Sequence, residues 1–185
     1  MHRLWRVAAS GGSPELVSGA GEDALAPALS FKSSQLAYIH EKTVTNIWSI
    51  PGPASATKAT EPRRLTASTR DDIEPQLSPD GRRVAFTSDR SGNSEIYVSD
   101  SDGSNPMQLT SLGSSSTGTP DWSPDGQWIA FDSRAKGQPD IYVIGAQGGE
   151  PRQLTSGSGA NYVPTWSRDG RWIYFTSDRS SSEQI

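Results

Sequence analysis

The chain has 185 residues, 32% of them apolar and 21% charged, with 18 Gly, 13 Pro and no Cys. That length fits one domain with a thin core of strand faces, and the lack of cysteine excludes disulfide staples and thiolate chemistry. The 17 Lys and Arg against 21 Asp and Glu leave a net charge of −4 with no basic block, which argues against a nucleic-acid partner. No apolar run reaches membrane-spanning length, so no membrane partner is expected, and residues 1–25 hold no stretch of signal-peptide length. As written the chain reads as cytoplasmic, and as periplasmic if it is part of a longer protein.

Short strands punctuated by turns follow one another along the chain. Leu4-Trp5-Arg6-Val7 and the segment around Leu16 read as two strands joined through Gly11-Gly12-Ser13-Pro14. Leu36-Ala37-Tyr38, Ile47-Trp48 and Leu65-Thr66 supply three more. The cleanest unit then runs from Pro75 to Thr110. Pro75-Gln76-Leu77-Ser78 is a first strand and Pro79-Asp80-Gly81 a tight turn, with Pro at a position that wants its fixed φ. Arg82 to Ser88 is a second strand, with Val84 and Phe86 on one face. A hairpin at Asp89-Arg90-Ser91-Gly92-Asn93 leads to Glu95-Ile96-Tyr97-Val98, and Asp102-Gly103 turns into Met107-Gln108-Leu109-Thr110. Ile129-Ala130-Phe131, Ile141-Tyr142-Val143 and Leu154-Thr155 repeat that order, and Ile173-Tyr174-Phe175 begins it again.

Ser78-Pro79-Asp80-Gly81, Ser123-Pro124-Asp125-Gly126 and Ser167-Arg168-Asp169-Gly170 are three copies of one turn, and Ser30-Phe31-Lys32-Ser33 is a decayed fourth. Their serines stand 48, 45 and 44 residues apart. Four antiparallel strands at that period predict an all-β fold, a β-propeller of four-stranded blades with about four blades in residues 1–185. Trp122, Trp128, Trp166, Trp172, Phe86, Phe131 and Phe175 are expected where neighbouring blades pack. The N-terminal strands match third and fourth strands, whereas Asp178-Arg179 to Ile185 matches first and second strands and the start of a third, so the terminal blade reads as split. Three closures fit that reading: a four-bladed ring in one chain, an eight-bladed ring of two chains, and a piece of a larger propeller.

Pro120 to Gly126, Ile129-Ala130-Phe131, Thr87-Ser88-Asp89-Arg90, Ile141-Tyr142-Val143 and Gly148 to Thr155 together resemble the repeat of TolB-like β-propellers, most strongly from Glu61 to Arg179. The resemblance implies a docking module, and similar propellers are appended to bacterial transcription regulators and peptidases. Its matched residues are turn and core positions, so function must come from sites.

The catalytic inventory is nearly empty, and neither an enzyme nor a cofactor is expected. His2 and His40 are the only histidines, too few for a histidine metal cluster. Gly157-Ser158-Gly159 lacks the spacing of a nucleophile elbow. Asp100-x-Asp102-Gly103-x-Asn105 lacks the later ligands of a calcium loop and reads as a turn. Asp89-Arg90 and Asp178-Arg179 read as hairpins with a local ion pair.

The segments before each first-strand Pro are expected to be loops around the mouth of the central channel. They offer Asp23 before Pro27, Asp71, Asp72 and Glu74 before Pro75, Thr117 and Thr119 before Pro120, and Asn161 and Tyr162 before Pro164. Three carboxylates within 71–74 repel one another unless something positive relieves them, so this cluster is the foremost site expectation. The readings are a protein- or peptide-binding scaffold that also self-associates as a homodimer, a sensor or gating propeller cut from a larger regulator or prolyl-oligopeptidase-type peptidase, and a small-ligand or carbohydrate binder using Tyr162.

Overall fold

A computed structural model describes residues 3–8, 10–17, 24–29, 36–40, 44–50, 61–157 and 159–179, with the backbone alone for 24–29 and 36–40. Asp23, His2, Ser158 and the decayed turn at 30–33 lie outside the described residues. The chain divides into two units, Met1–Thr43 and Val44–Ile185. No described residue is helical, and every strand pairing is antiparallel.

The first unit contains β1 (Trp5–Arg6), β2 (Glu15–Leu16), β3 (Ala24–Leu29) and β4 (Leu36–His40). Trp5 faces Leu16 and Arg6 faces Glu15 in the first pair, and Leu4 is buried against Val17. Strands β3 and β4 pair from Ala24–His40 to Leu29–Leu36, with a register shift between Leu25 and Ala28 that spans Pro27.

The second unit opens with β5 (Trp48–Ser49) and β6 (Arg63–Arg64), then β7 (Asp72–Leu77), β8 (Arg83–Ser88), β9 (Glu95–Asp100) and β10 (Met107–Gln108). It continues with β11 (Thr117–Trp122), β12 (Trp128–Lys136), β13 (Gln138–Gly145), β14 (Arg152–Gln153), β15 (Asn161–Trp166) and β16 (Ile173–Ser177). Strands β7 to β10 and β11 to β14 form two complete four-stranded meanders, the blades expected from the repeat. Strands β5–β6 and β15–β16 are two-stranded sheets.

The Ser-x-Asp-Gly turn is one device used three times. Ser78 Oγ donates to Asp80 Oδ1 at 2.6 Å while accepting the Arg83 N–H at 2.9 Å, and Asp80 Oδ1 also accepts the Arg82 N–H at 3.1 Å. The same bonds recur around Ser123–Asp125 and Ser167–Asp169, although Arg168 stands where the others have Pro. Serine, aspartate and the left-handed glycine therefore carry the turn. The serine hydroxyl first, then the N–H two residues on, holds Asp80, Asp125 and Asp169 below the ordinary carboxylate range.

Fourth strands are short because a side chain replaces the ladder at their end. Thr66, Thr110 and Thr155 accept the N–H of Ile47, Ile96 and Ile141 through Oγ1, at 2.9–3.0 Å. Within each blade an aromatic pair stacks across neighbouring strands, Phe86 on Tyr97 at 5.9 Å and Phe131 on Tyr142 at 5.6 Å. Between successive sheets Ala85, Ile96 and Val98 share one apolar cluster with Trp122, Ile129 and Phe131. Trp122 donates its indole N–H to Gln76 O of the preceding sheet, and the Arg83 guanidinium lies over its ring while donating to Gly126 O and Ala146 O.

Two expectations need correction. Trp128 and Trp172 are exposed, because their repeat position is the one Arg83 occupies, at the solvated margin of the blade contact. Arg90 pairs with Asp72 at 2.6 Å, and Asp89 instead accepts the Asp71 N–H at 2.9 Å. The arginine turns inward because it gains the Phe86 and Tyr97 ring faces and the Ser88 hydroxyl.

Phe131 is fully buried and Trp172 is 63% exposed. Phe131→Ala should therefore destabilise by about 3–5 kcal/mol in urea denaturation, and Trp172→Ala by less than about 1 kcal/mol.

Candidate functional site: the rim of the inner strands

The segments before each first-strand Pro are strand, not loop: β7 starts at Asp72, β11 at Thr117 and β15 at Asn161. Proline lacks the N–H a ladder needs, and the chain accommodates it with a bulge. Register shifts fall between Ile73 and Gln76, Gly118 and Asp121, and Tyr162 and Thr165. In each bulge the residue before Pro is left-handed, with φ of 55° at Glu74, 50° at Thr119 and 49° at Val163. A residue before proline prefers extended backbone, and left-handed φ costs a non-glycine residue about 1–2 kcal/mol.

Carboxylates of one blade hold the bulge of the next. Glu74 Oε2 accepts the Thr119 N–H at 2.7 Å and the Thr87 hydroxyl at 2.7 Å. Asp132 Oδ1 accepts the Thr119 hydroxyl and the Val163 N–H, the latter at 3.2 Å. Strand positions 87 and 132 are equivalent in the repeat, as are 74 and 119. Acid and hydroxyl have therefore exchanged places between the two blades, yet the same link to the next blade forms. Gly118 leaves the path open, since a Cβ there would lie 2.8 Å from Glu74 Oε2. Burial pushes the Asp132 carboxyl above its ordinary range, against the opposing pull of its two donors.

Two residues before each bulge position, Asp72, Thr117 and Asn161 are buried and brace their own blades. Thr117 shares a hydrogen bond with Ser133 at 2.8 Å, and Asn161 Oδ1 accepts from Ser177 and Arg179 at 2.8 and 2.9 Å. Asp71 Oδ1 accepts the Thr45 N–H at 2.6 Å. Each carboxylate of the 71–74 cluster thus has its own relief: a main-chain N–H for Asp71, Arg90 for Asp72, and Thr87 with Thr119 for Glu74.

Where the three bulges converge lies a cavity of about 370 Å³, lined by Glu74 and Gln76 of β7, Thr119 to Asp121 of β11 and Val163 to Thr165 of β15. None of its lining residues is basic. Asp121 Oδ2 accepts the Thr165 hydroxyl and the Trp166 N–H, at 3.0 and 2.8 Å. Of the residues expected at the mouth, Glu74 and Thr119 line this cavity; Asp71, Asp72, Thr117, Asn161 and the half-buried Tyr162 do not. Sequence reasoning missed Asp121, Asp132, Thr87 and Val163. One signal was present: Asp132 puts a charge where the other copies have Thr87 and Thr176, within an apolar strand. Among the described residues no group of three His, Cys, Asp or Glu is placed to hold a metal ion.

Repeated antiparallel blades bound to one another through their inner strands define an all-β protein of propeller type. Residues 113–185 match the TolB beta propeller domain. A 41-residue segment is 54% identical to the Tol-Pal system protein TolB of Bordetella pertussis, covering 22% of this chain and 9% of that protein. Putative TolB from Agrobacterium tumefaciens superposes with a TM-score of 0.66 at 28% identity, over 88% of this chain and 56% of that one. TolB from Acinetobacter baumannii does so with a TM-score of 0.59 at 28% identity, over 68% and 31%. Over these spans the chain is similar to TolB, and its fold is that of a TolB-like β-propeller. It spans about half of the first of those solved chains, and its match covers about a tenth of the curated relative.

Val163 is β-branched, left-handed and exposed. Val163→Gly should leave stability unchanged or raise it by up to about 1 kcal/mol, since relieved strain offsets the entropy glycine brings. Val84, buried in the extended β8, gives the contrast in the same denaturation series: Val84→Gly should cost at least about 2 kcal/mol.

Proposed function

We propose that the chain is a non-enzymatic scaffold that docks a protein or peptide at the rim of its inner strands. The observation that carries this reading is the cavity built from three bulges, with two carboxylates beside two prolines and a valine and no basic side chain. Such a lining accepts hydrogen bonds and positive charge and offers apolar walls, which suits a lysine or arginine side chain of an extended peptide. The kinship supports a protein partner, because the TolB relatives are named as proteins of the Tol-Pal system. Fluorescence anisotropy with a labelled Lys- and Arg-bearing peptide and its Glu-substituted counterpart tests the reading. The basic peptide should bind at least about tenfold more tightly, and the double change Glu74→Gln, Asp121→Asn should remove that preference. Equal binding of both peptides would sink it.

Self-association is a second reading, favoured by one register. Trp5↔Leu16 and Arg6↔Glu15 in β1–β2 reproduce Tyr142↔Gln153 and Val143↔Arg152 in β13–β14. Strands β1 and β2 are therefore built as third and fourth strands of a blade, with Trp5 and Val7 exposed at the positions of the buried Tyr142 and Ile144. A groove of about 350 Å³ lined by Ile141, Leu154, Trp166, Ile173 and Phe175 is a seat for such a pair from a second copy. Light scattering across a dilution series should then give twice 19.9 kDa, and Trp5→Asp should halve it. A wild-type monomer at micromolar concentration refutes this reading.

A further inference from the structure

Asp132, like Glu74, is a rim residue that touches two blades, and it alone of the two is buried. Its carboxylate sits on β12, buried, and holds the side chain of Thr119 in its own blade together with the main-chain N–H of Val163 in the next. Thr119 is in turn held through its N–H by Glu74 of the preceding blade. Both residues that Asp132 holds are left-handed and both line the cavity. We propose that Asp132 is a positioning residue for the rim: its charged carboxylate fixes Thr119 and Val163 in their left-handed geometry, and loss of that charge releases the β15 wall of the cavity. The inference concerns the shape of the unliganded rim and stands whether or not a peptide docks there.

The chemistry favours a local switch over unfolding. An ionised carboxylate is the stronger acceptor, whereas a protonated one becomes a donor that competes with the Thr119 hydroxyl. The groups acting on Asp132 are few. Glu74 of β7 adds repulsion that favours protonation, and Arg134 on its own strand opposes it. On the other packed strands Asp121 of β11 is engaged with Thr165 and Trp166, Asp140 of β13 with Thr155, Gln153 and Asn161, and β15 offers only Tyr162. Burial is the largest influence and raises the protonation midpoint above the ordinary one. A group whose folded midpoint lies above its unfolded one takes up its proton first in the folded protein. Acidification through that midpoint therefore favours the folded form at this site, and the rim changes while the fold persists.

The Val163 amide reports this directly, because its acceptor is Asp132. In a proton–nitrogen NMR titration of the unliganded protein, the Val163 cross-peak should move with a midpoint above the roughly 3.9 of an ordinary aspartate. Asp132→Asn should abolish that movement. Glu74→Gln, which keeps an acceptor for Thr119 but removes the repelling charge, should lower the Val163 midpoint. A Val163 amide that does not titrate, one that still titrates in Asp132→Asn, or a midpoint indifferent to Glu74→Gln would each overturn the proposal. If Asp132→Asn fails to fold, the Glu74→Gln shift decides the matter alone.

Discussion

A proline in an inner strand cannot donate to the ladder, and the rest of the rim is an answer to that missing N–H. The chain bulges, the residue before proline turns left-handed, and its own N–H swings out of register toward the neighbouring blade. A strained donor of this kind needs a strong acceptor, and Glu74 and Asp132 supply carboxylates for Thr119 and Val163. The same bond that relieves the strain ties one blade to the next. Local backbone conflict and inter-blade cohesion are thus one interaction.

This helps explain how a chain with only 32% apolar residues packs at all. Between the aromatic layers the buried positions are polar but partnered. Glu95 accepts from the Thr110 hydroxyl and the Gly113 N–H, and Asp140 from Thr155, Gln153 and Asn161. Each such network closes the end of a short fourth strand or braces the start of a first one. The exceptions among the described residues are few: Asp72 Oδ2, Tyr142 OH and Trp166 Nε1 are buried without a hydrogen-bond partner.

Period, turns and strand order were legible in the sequence because they rest on short-range chemistry, Ser-x-Asp-Gly above all. The start of the first strand was not. Asp71-Asp72-Ile73-Glu74 and Thr117-Gly118-Thr119 look like solvated loop, and only the three-dimensional placing of Arg90, Ser88 and Ser133 shows why Asp72 and Thr117 within them can be buried. The rim contact is harder still to read. Glu74 with Thr87 and Asp132 with Thr119 are the same pair with acid and hydroxyl exchanged, so neither position shows a residue pattern from copy to copy. Glu74 and Thr119 were reachable as polar residues beside a proline. Asp121 and Val163 were not, since one resembles a solvated strand residue and the other a core residue.

The central claim is that Glu74, Thr119 and Asp132 act as one unit across blades. A double-mutant cycle on unfolding free energy, with Glu74→Ala and Asp132→Ala singly and together, measures it most directly. Because both carboxylates act on Thr119, the account predicts a coupling of at least about 0.5 kcal/mol between residues that do not hydrogen-bond to each other. Effects that add to within about 0.3 kcal/mol would contradict it, leaving two independent hydrogen bonds where the account requires a relay.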